Sequence, residues 1–253
     1  MNPVSLESPP SLPQKNILFV TGTDTDVGKS VVSVRLIQYL HFHGIDAMAI
    51  KPFCSGATSD LDLLIAANAR NQSHKDINLH FYHQPLSPMA ACLVSNSPFP
   101  EPERVDEFIQ SASELTDWLV IEGAGGLFAP LAPDYFIASL IKAHARQVIL
   151  VAPDRLGCLN HSILSLQWLK NHLPDNRISL ILNRISPSDL SSESNLHVIN
   201  TLFPAQKAHF FPEIEGFSLS SIKSEKKLKK PLAGFSAFDK VLVPSPNGTG
   251  NAG

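Results

Sequence analysis

The chain has 253 residues, of which 43% are hydrophobic and 17% are charged, and its formal net charge is −3. This length and composition are typical of one soluble α/β domain, and the weak negative charge favours neither nucleic acid nor a membrane surface as a partner. Three widely spaced cysteines outside any CxxC pair argue against a disulfide framework or a zinc site. We therefore expect a cytoplasmic protein.

The predicted domain organisation follows from where apolar patterning begins and stops. Residues 1–14 contain prolines where a signal peptide needs an unbroken apolar run, so we expect a disordered leader. Residues 15–240 are predicted to form a single domain, and residues 241–253 a disordered tail. No stretch approaches the roughly 20 apolar residues of a membrane span.

Apolar runs rich in β-branched residues recur along the chain, at 16–21, 47–52, 117–123, 147–152 and 178–183. Such runs suit strands buried on both faces, and helical patterns lie between them, at 29–44 and 159–172. The alternation predicts a doubly wound α/β fold, with a mostly parallel sheet and helices on both faces. We expect residues 71–103 to be irregular and the basic run at 223–231 to be solvated.

A phosphate-binding loop is predicted at residues 22–30, GTDTDVGKS, which satisfy G-x-x-x-x-G-K-[ST] between a predicted strand and a predicted helix. Backbone N–H groups of such a loop point at phosphate oxygens, and the following helix adds the positive end of its dipole. Lys29 can reach the β and γ phosphates, and the Ser30 hydroxyl can ligate Mg²⁺. The loop therefore predicts a nucleotide site of the P-loop NTPase type.

Further polar residues follow two other predicted strands. Glu122 ends one strand and precedes three glycines within four residues, where a carboxylate can hold the same Mg²⁺. Lys51 and Ser55 follow another strand, and Lys51 can neutralise charge on a transferred phosphoryl group. Asp60 and Asp62 can each join the magnesium site or merely begin a helix. The sequence leaves the choice between these two carboxylates open.

From residue 16 to about residue 217 the chain resembles the dethiobiotin synthetase family. The resemblance rests on VTGTDTDVGKS, on KPFCSG with a following Asp, on Ser87-Pro88, on EGAGGLFAPL, and above all on LGCLNH at 156–161. LGCLNH has no general phosphate-binding rationale, so it discriminates better than the phosphate-binding loop. The resemblance implies an ATP-dependent cyclo-ligase that joins CO₂ (from bicarbonate) to 7,8-diaminononanoate, yielding dethiobiotin, ADP and phosphate through a carbamate and a carbamic-phosphoric anhydride.

The resemblance also implies site residues and a homodimer with shared active sites. The implied catalytic residues are Thr25, Lys29 and Lys51, and the implied Mg²⁺ ligands are Ser30, Asp60 and Glu122. The implied ATP site comprises Asp26, Val27, Gly28, Lys29, Ser30, Val31, Asp60, Glu122, Gly123, Ala124, Gly125, Asn183, Arg184, Ile214, Glu215, Gly216 and Phe217. The implied substrate residues are Ser55, beside the carbamate, and Gly157, Cys158, Leu159 and Asn160, on the diamine carboxylate.

Two other P-loop classes are alternatives. A cobyrinate-type amidotransferase normally carries an added glutaminase domain, for which 253 residues leave no room. A partitioning-type ATPase switch normally has a further lysine early in its phosphate-binding loop, where this sequence has Asp24. The chain also departs from the family it resembles, with Asp26 where Glu is usual, Ser139 where Asp is usual and Glu215 where Pro is usual.

Overall fold

A computed structural model describes residues 16–185, 187, 189–206, 208–225 and 230–242. The predicted leader and most of the predicted tail lie outside these residues. In chain order the described elements are β1 (Asn16–Gly22), α1 (Lys29–Phe42), β2 (Ala47–Ile50), β3 (Phe53–Ser55), α2 (Ser59–Asn68), α3 (His74–Ile77), β4 (His80–Tyr82), α4 (Pro88–Ser95), α5 (Pro102–Glu114), β5 (Trp118–Gly126), β6 (Pro130–Ala132), β7 (Tyr135–Phe136), α6 (Ile137–His144), β8 (Gln147–Pro153), α7 (Cys158–His172), β9 (Ile178–Asn183), α8 (Asn195–Leu202), β10 (Ala208–Phe211), α9 (Leu219–Glu225) and α10 (Phe235–Val241).

The core of the molecule is a parallel sheet in the order β10-β9-β8-β1-β5-β2. Its strands are almost wholly buried, as continuously apolar strands covered by helices must be. The predicted α/β class and all five predicted strands are confirmed, and so are the helices α1 and α7. The edge strand β10 was not predicted, because it is short and half-exposed and so lacks a long apolar run.

The order of the strands determines where a ligand can bind. The chain places β5 and β8 on opposite sides of β1, so the connections from β1 and β8 run in opposite directions across the sheet. In open α/β sheets a crevice forms at such a reversal, outside the carboxyl ends of the strands. The loop between β1 and α1 opens into this crevice, which places the predicted phosphate-binding loop at the expected end of the sheet.

The segment 71–103 is more regular than predicted. It contains α3, β4 and α4, and the helix α5 begins at its end. Local capping explains the two helices: Asp76 accepts hydrogen bonds from the N–H (2.6 Å) and hydroxyl (2.8 Å) of Ser73, and Ser87 caps α4 ahead of Pro88. The prediction of irregular structure is wrong there: it rested on the many prolines of the segment, whereas the capping residues are sufficient to start short helices.

The chain beyond Phe217 folds back onto the domain. Helix α9 packs against α2, and α10 packs against both α1 and β10. Ile222 in α9 and Phe238 in α10 are completely buried. The basic run begins at the end of α9, where Lys223 and Ser224 are exposed, as expected for a solvated run, and Glu225 is partly buried. Residues 226–229 lie outside the described part of the chain.

The described helices are all too short or too polar to cross a membrane.

Candidate active site

The phosphate-binding loop is built on glycines that side chains cannot replace. A Cβ on Gly22 would lie 2.7 Å from the backbone oxygen of Asp24 and 2.8 Å from a methyl of Val27. Lys29 Nζ donates to that same Asp24 oxygen over 2.8 Å, which holds the lysine across the mouth of the loop. The loop thus closes on itself around the ammonium group that the sequence assigned to the phosphates.

Asn183 fastens the phosphate-binding loop to the end of β9. Its Nδ2 donates to the backbone oxygen of Val27 over 3.0 Å, and the side chain is only 2% exposed. Gly28, the next residue, has φ +88°, and a Cβ there would meet Asn183 Nδ2 far inside contact distance. The contact explains why a glycine stands at Gly28: the position needs both a left-handed backbone and the absence of a side chain.

We expect Gly28→Ala to lose stability and nucleotide affinity together, because the added methyl must push Asn183 away from the loop. Gly44→Ala is the matched control, since Gly44 also has positive φ (74°) but its Cβ would have nothing within 4 Å. Left-handed strain alone costs about 1 kcal/mol, so the control should lower only the melting temperature, by a few degrees. Thermal melts and ADP titration of both variants measure the difference; equal losses would show that the Asn183 contact contributes nothing.

Strand register brings a lysine and a carboxylate together beside the loop. Ile50 of β2 lies opposite Ile121 of β5, so the following residues, Lys51 and Glu122, are neighbours at the strand ends. Lys51 Nζ donates to Glu122 Oε1 over 2.8 Å, and the hydroxyl of Ser30 donates to the same oxygen over 2.7 Å. Lys51 Nζ also pairs with the carboxylate of Asp60. Four polar side chains, each from a different part of the fold, therefore meet at one point.

The charges of this cluster are mutually dependent. Burial lowers the pKa of Lys29, and the neighbouring ammonium of Lys51 lowers it further against the attraction of Glu122. Burial would also lower the pKa of Lys51, but the charges of Glu122 and Asp60 outweigh burial and raise it. Burial by itself raises the pKa of Asp60, and Lys51 reverses this effect so that the net shift is downward. At neutral pH Lys51 is therefore a cation and cannot act as a base.

The structure separates the two aspartates that the sequence left open. Asp60 belongs to the cluster around Lys51, whereas Asp62 pairs with His74 Nε2 over 2.8 Å and lies near the Thr58 hydroxyl. Both residues lie in the first turn of α2, but two steps along a helix turn a side chain by about 200°. Only Asp60 faces the phosphate-binding loop.

A cavity of about 620 Å³ opens in front of the cluster. Its wall includes many of the predicted site residues: Thr25, Asp26, Gly28, Lys29, Ser30, Val31, Lys51, Ser55, Asp60, Glu122, Ala124, Gly125 and Phe217. It also includes residues for which no role was predicted: Phe53, Leu63, Pro85, Leu86 and Ala129. Their apolar side chains come from several segments that are distant in sequence, so no single local pattern joins them. Phe53 and Ala129 lie within KPFCSG and EGAGGLFAPL, and Pro85 and Leu86 precede Ser87-Pro88, which is also in the wall.

Other predicted residues lie outside the wall of this cavity. Besides Asn183, these include Arg184, which pairs with Asp154 over 2.9 Å and lies over the Phe210 ring. Also outside are Val27, Gly123, Ile214, Glu215 and Gly216. The predicted substrate residues Gly157, Cys158, Leu159 and Asn160 stand at the start of α7, where Cys158 is buried and Asn160 is exposed. Their roles stay predictions.

Two buried polar atoms without a hydrogen-bond partner in the described part of the chain indicate which kind of ligand the site suits. Glu122 is 1% exposed, yet its Oε2 has no hydrogen-bond partner among the described residues, and neither has the buried hydroxyl of Ser55. A buried carboxylate oxygen without a donor suits a cation, and hard oxygen donors suit Mg²⁺. No group of three or more His, Cys, Asp or Glu in the described residues could hold a metal alone. The donor set thus fits an ion that phosphate oxygens also ligate.

Comparisons with known proteins show the family and the fold of this chain. The model of an AAA domain family matches residues 16–218. The ATP-dependent dethiobiotin synthetase BioD of Bacillus subtilis subsp. natto is 35% identical over 191 residues, which cover 73% of this chain and 81% of that protein. The BioD of Bacillus velezensis is 29% identical over 220 residues, covering 81% of this chain and 90% of that protein.

Solved structures share the fold at low identity. The septum site-determining protein MinD of Pyrococcus horikoshii, complexed with Mg-ADP, has a TM-score of 0.54 and 17% identity, covering 89% of this chain and 96% of that one. A putative plasmid partition protein of Borrelia burgdorferi has a TM-score of 0.52 and 11% identity, covering 90% of this chain and 97% of that one. These likenesses show a P-loop NTPase fold and nothing finer. The sequence relatives decide the family: the chain belongs to the ATP-dependent dethiobiotin synthetases, a family of ligases.

Proposed function

We propose that this protein uses ATP and Mg²⁺ to carboxylate 7,8-diaminononanoate with CO₂ and close its ureido ring. One amine adds CO₂ and loses a proton, giving a carbamate whose oxygen attacks the γ-phosphorus while ADP leaves. The second amine then attacks the carbamoyl carbon of the mixed anhydride and expels phosphate. The observation that carries the proposal is the cluster of Lys51, Glu122, Asp60 and Ser30 at the mouth of a phosphate-binding loop.

The proposed role of each site residue follows from its charge and its burial. Lys29, held across the loop by the Asp24 carbonyl, is assigned to the phosphate oxygens. Lys51 is a buried cation whose raised pKa suits it to stabilise negative charge on the transferred phosphoryl group. Ser55 offers its unpaired hydroxyl to the carbamate. Positioning and charge stabilisation of this kind supply most of the catalysis of phosphoryl transfer.

We assign the metal site to Ser30, Asp60 and Glu122. When bound there, Mg²⁺ would neutralise negative charge on the phosphate groups. In the described structure these three side chains are held together through Lys51, which compensates the carboxylates. The orphaned Glu122 Oε2 supports the assignment.

We further propose a cytoplasmic homodimer in which residues 157–160 bind the diamine carboxylate of the partner's site. Gly157 has φ +89° and precedes the first turn of α7, and the N–H groups at the start of a helix suit an anion; the N–H of Cys158 donates to the backbone oxygen of Arg155 over 3.2 Å in this structure. The three described cysteines are free and buried, which agrees with a reducing compartment.

A product assay tests the proposed function directly. Purified protein is incubated with Mg-ATP, 7,8-diaminononanoate and bicarbonate, and dethiobiotin is measured by mass spectrometry beside ADP. We expect both products to depend on the diamine and on bicarbonate. ADP formation that ignores both substrates, with no dethiobiotin, would instead indicate an ATPase switch of the partitioning type.

The pair Asp60→Asn and Asp62→Asn tests which aspartate serves the metal. We expect Asp60→Asn to raise the Mg²⁺ concentration needed for half-maximal activity about tenfold or more, because it removes a carboxylate from the cluster. Asp62→Asn should leave that concentration unchanged, since its carboxylate pairs with His74. Activity measured across Mg²⁺ concentrations decides; the reverse ranking would contradict the assignment.

A further inference from the structure

Helix α1, which begins at the phosphate-binding loop, contains a buried arginine. Arg35 is the largest of the almost fully buried side chains among the described residues, and its exposed fraction is 2%. A guanidinium cannot lose its charge to escape burial, so it must be compensated by an anion and by hydrogen bonds. Its position in the middle of α1 gives it no role in the cluster around Lys51, and its partners lie elsewhere in the chain.

The compensating anion comes from the far end of the chain. Glu225, the last residue of α9, accepts from both Nη atoms of Arg35, over 2.6 and 3.1 Å. Gln38 completes the arrangement, accepting from Arg35 over 2.8 Å and donating to Glu225 over 3.3 Å. A bidentate pair of this kind adds geometric specificity to the energy of the ion pair. It clamps α9 to α1.

The same guanidinium faces a wall of the nucleotide cavity. The Arg35 carbon Cζ lies 5.6 Å from the centre of the Phe217 ring, and Phe217 lines the cavity. Phe217 closes a turn in which its N–H donates to Ile214, and Gly216 within the turn has φ +65°. Helix α9 starts two residues later, after Ser218, and the clamp binds its last residue, so the helix that follows the ring is tied to α1.

Helix α9 also touches the other side of the site. It packs against α2, the helix that carries Asp60 and Leu63 of the cavity wall. Ile222 of α9 is completely buried. The clamp thus links α1, α2 and the turn before α9, the three segments that enclose one side of the cavity.

From this geometry we propose that Arg35 is a positioning residue, which with Glu225 holds Phe217 in place as a wall of the nucleotide cavity. The segment after Phe217 then contributes to the nucleotide site indirectly, because it holds the Phe217 ring in the cavity wall. The inference rests on the proposed function only in that the cavity binds ATP. A ring that contacts the nucleotide equally before and during reaction affects KM and leaves kcat unchanged.

Glu225→Gln, which keeps the shape but removes the charge, is the test variant. We expect its Kd for Mg-ADP by calorimetry, and its KM for ATP, to rise about fivefold to tenfold, with kcat within about twofold. Phe217→Ala should have a similar effect, and the double variant should be no worse than the worse single variant, because both changes remove the same wall.

Tyr39→Phe is the matched control. Tyr39 also lies on α1 and ties a C-terminal helix to it, donating to Asp239 over 2.8 Å, but its partner is on α10. It should lower the melting temperature and leave Kd unchanged. If Glu225→Gln does not fold, Arg35→Lys keeps the charge and loses the two-pronged pairing, and should give the same rise in Kd.

A purely structural clamp would give a different result. The proposal is overturned if Glu225→Gln and Arg35→Lys lower the melting temperature without changing Kd, or if the effects of Glu225→Gln and Phe217→Ala multiply in the double variant. The proposed function fails separately: a wild-type protein that binds Mg-ADP but makes no dethiobiotin leaves the Arg35 inference standing.

Discussion

Lys51→Gln is expected to lower kcat for dethiobiotin formation about a thousandfold or more while nucleotide affinity largely survives. Lys51 is 6% exposed and bonds to carboxylates, whereas Lys29 lies across the phosphate-binding loop. Glutamine keeps much of the side-chain length but removes the positive charge. Initial rates and calorimetric titration with ADP separate the loss of turnover from any loss of binding.

The same change should also destabilise the protein. Removing this cation takes away the ion-pair partner of both the buried Glu122 and Asp60, and breaking a buried ion pair is costly. We expect the melting temperature to fall in EDTA and to recover partly with Mg²⁺ and ADP, because a cation can compensate the same carboxylates. Lys142→Gln, an exposed lysine in α6, is the control and should change neither quantity. A collapse of ADP binding by Lys51→Gln at unchanged stability would contradict its assigned role.

Glu122→Gln is expected to abolish the coupling between Mg²⁺ and nucleotide and to lower kcat about a hundredfold or more. An amide oxygen can still accept from Ser30 and Lys51, so the variant removes chiefly the negative charge. The wild-type protein should bind ADP more tightly with Mg²⁺ than with EDTA. The variant should bind ADP with the same Kd under both conditions.

Calorimetry with and without EDTA measures this coupling independently of turnover. Glu114→Gln, at the exposed end of α5, is the matched control and should retain the wild-type difference. A Glu122→Gln variant that keeps the full Mg²⁺ effect on ADP affinity would place the metal on other residues. Because Glu122 is buried and Glu114 is not, melting temperatures of both variants are needed to compare folded protein only.

The sequence by itself determined what depends on short stretches of backbone. The five apolar runs, the phosphate-binding loop and the helix that follows it are local patterns, and the structure has all of them in place. Lys51 and Glu122 were predicted to face one crevice because both follow parallel strands, and the register of β2 with β5 makes them neighbours. The family resemblance rested on equally local strings, and the comparisons bear it out.

Only the tertiary structure decided between equivalent residues and joined distant ones. Asp60 and Asp62 begin the same helix, and the orientation of α2 alone turns one toward Lys51 and the other toward His74. Arg35 reads as an ordinary residue of α1 because its partner Glu225 lies 190 residues away. Pairings of this kind come from packing between whole elements, a property that no local period or motif carries.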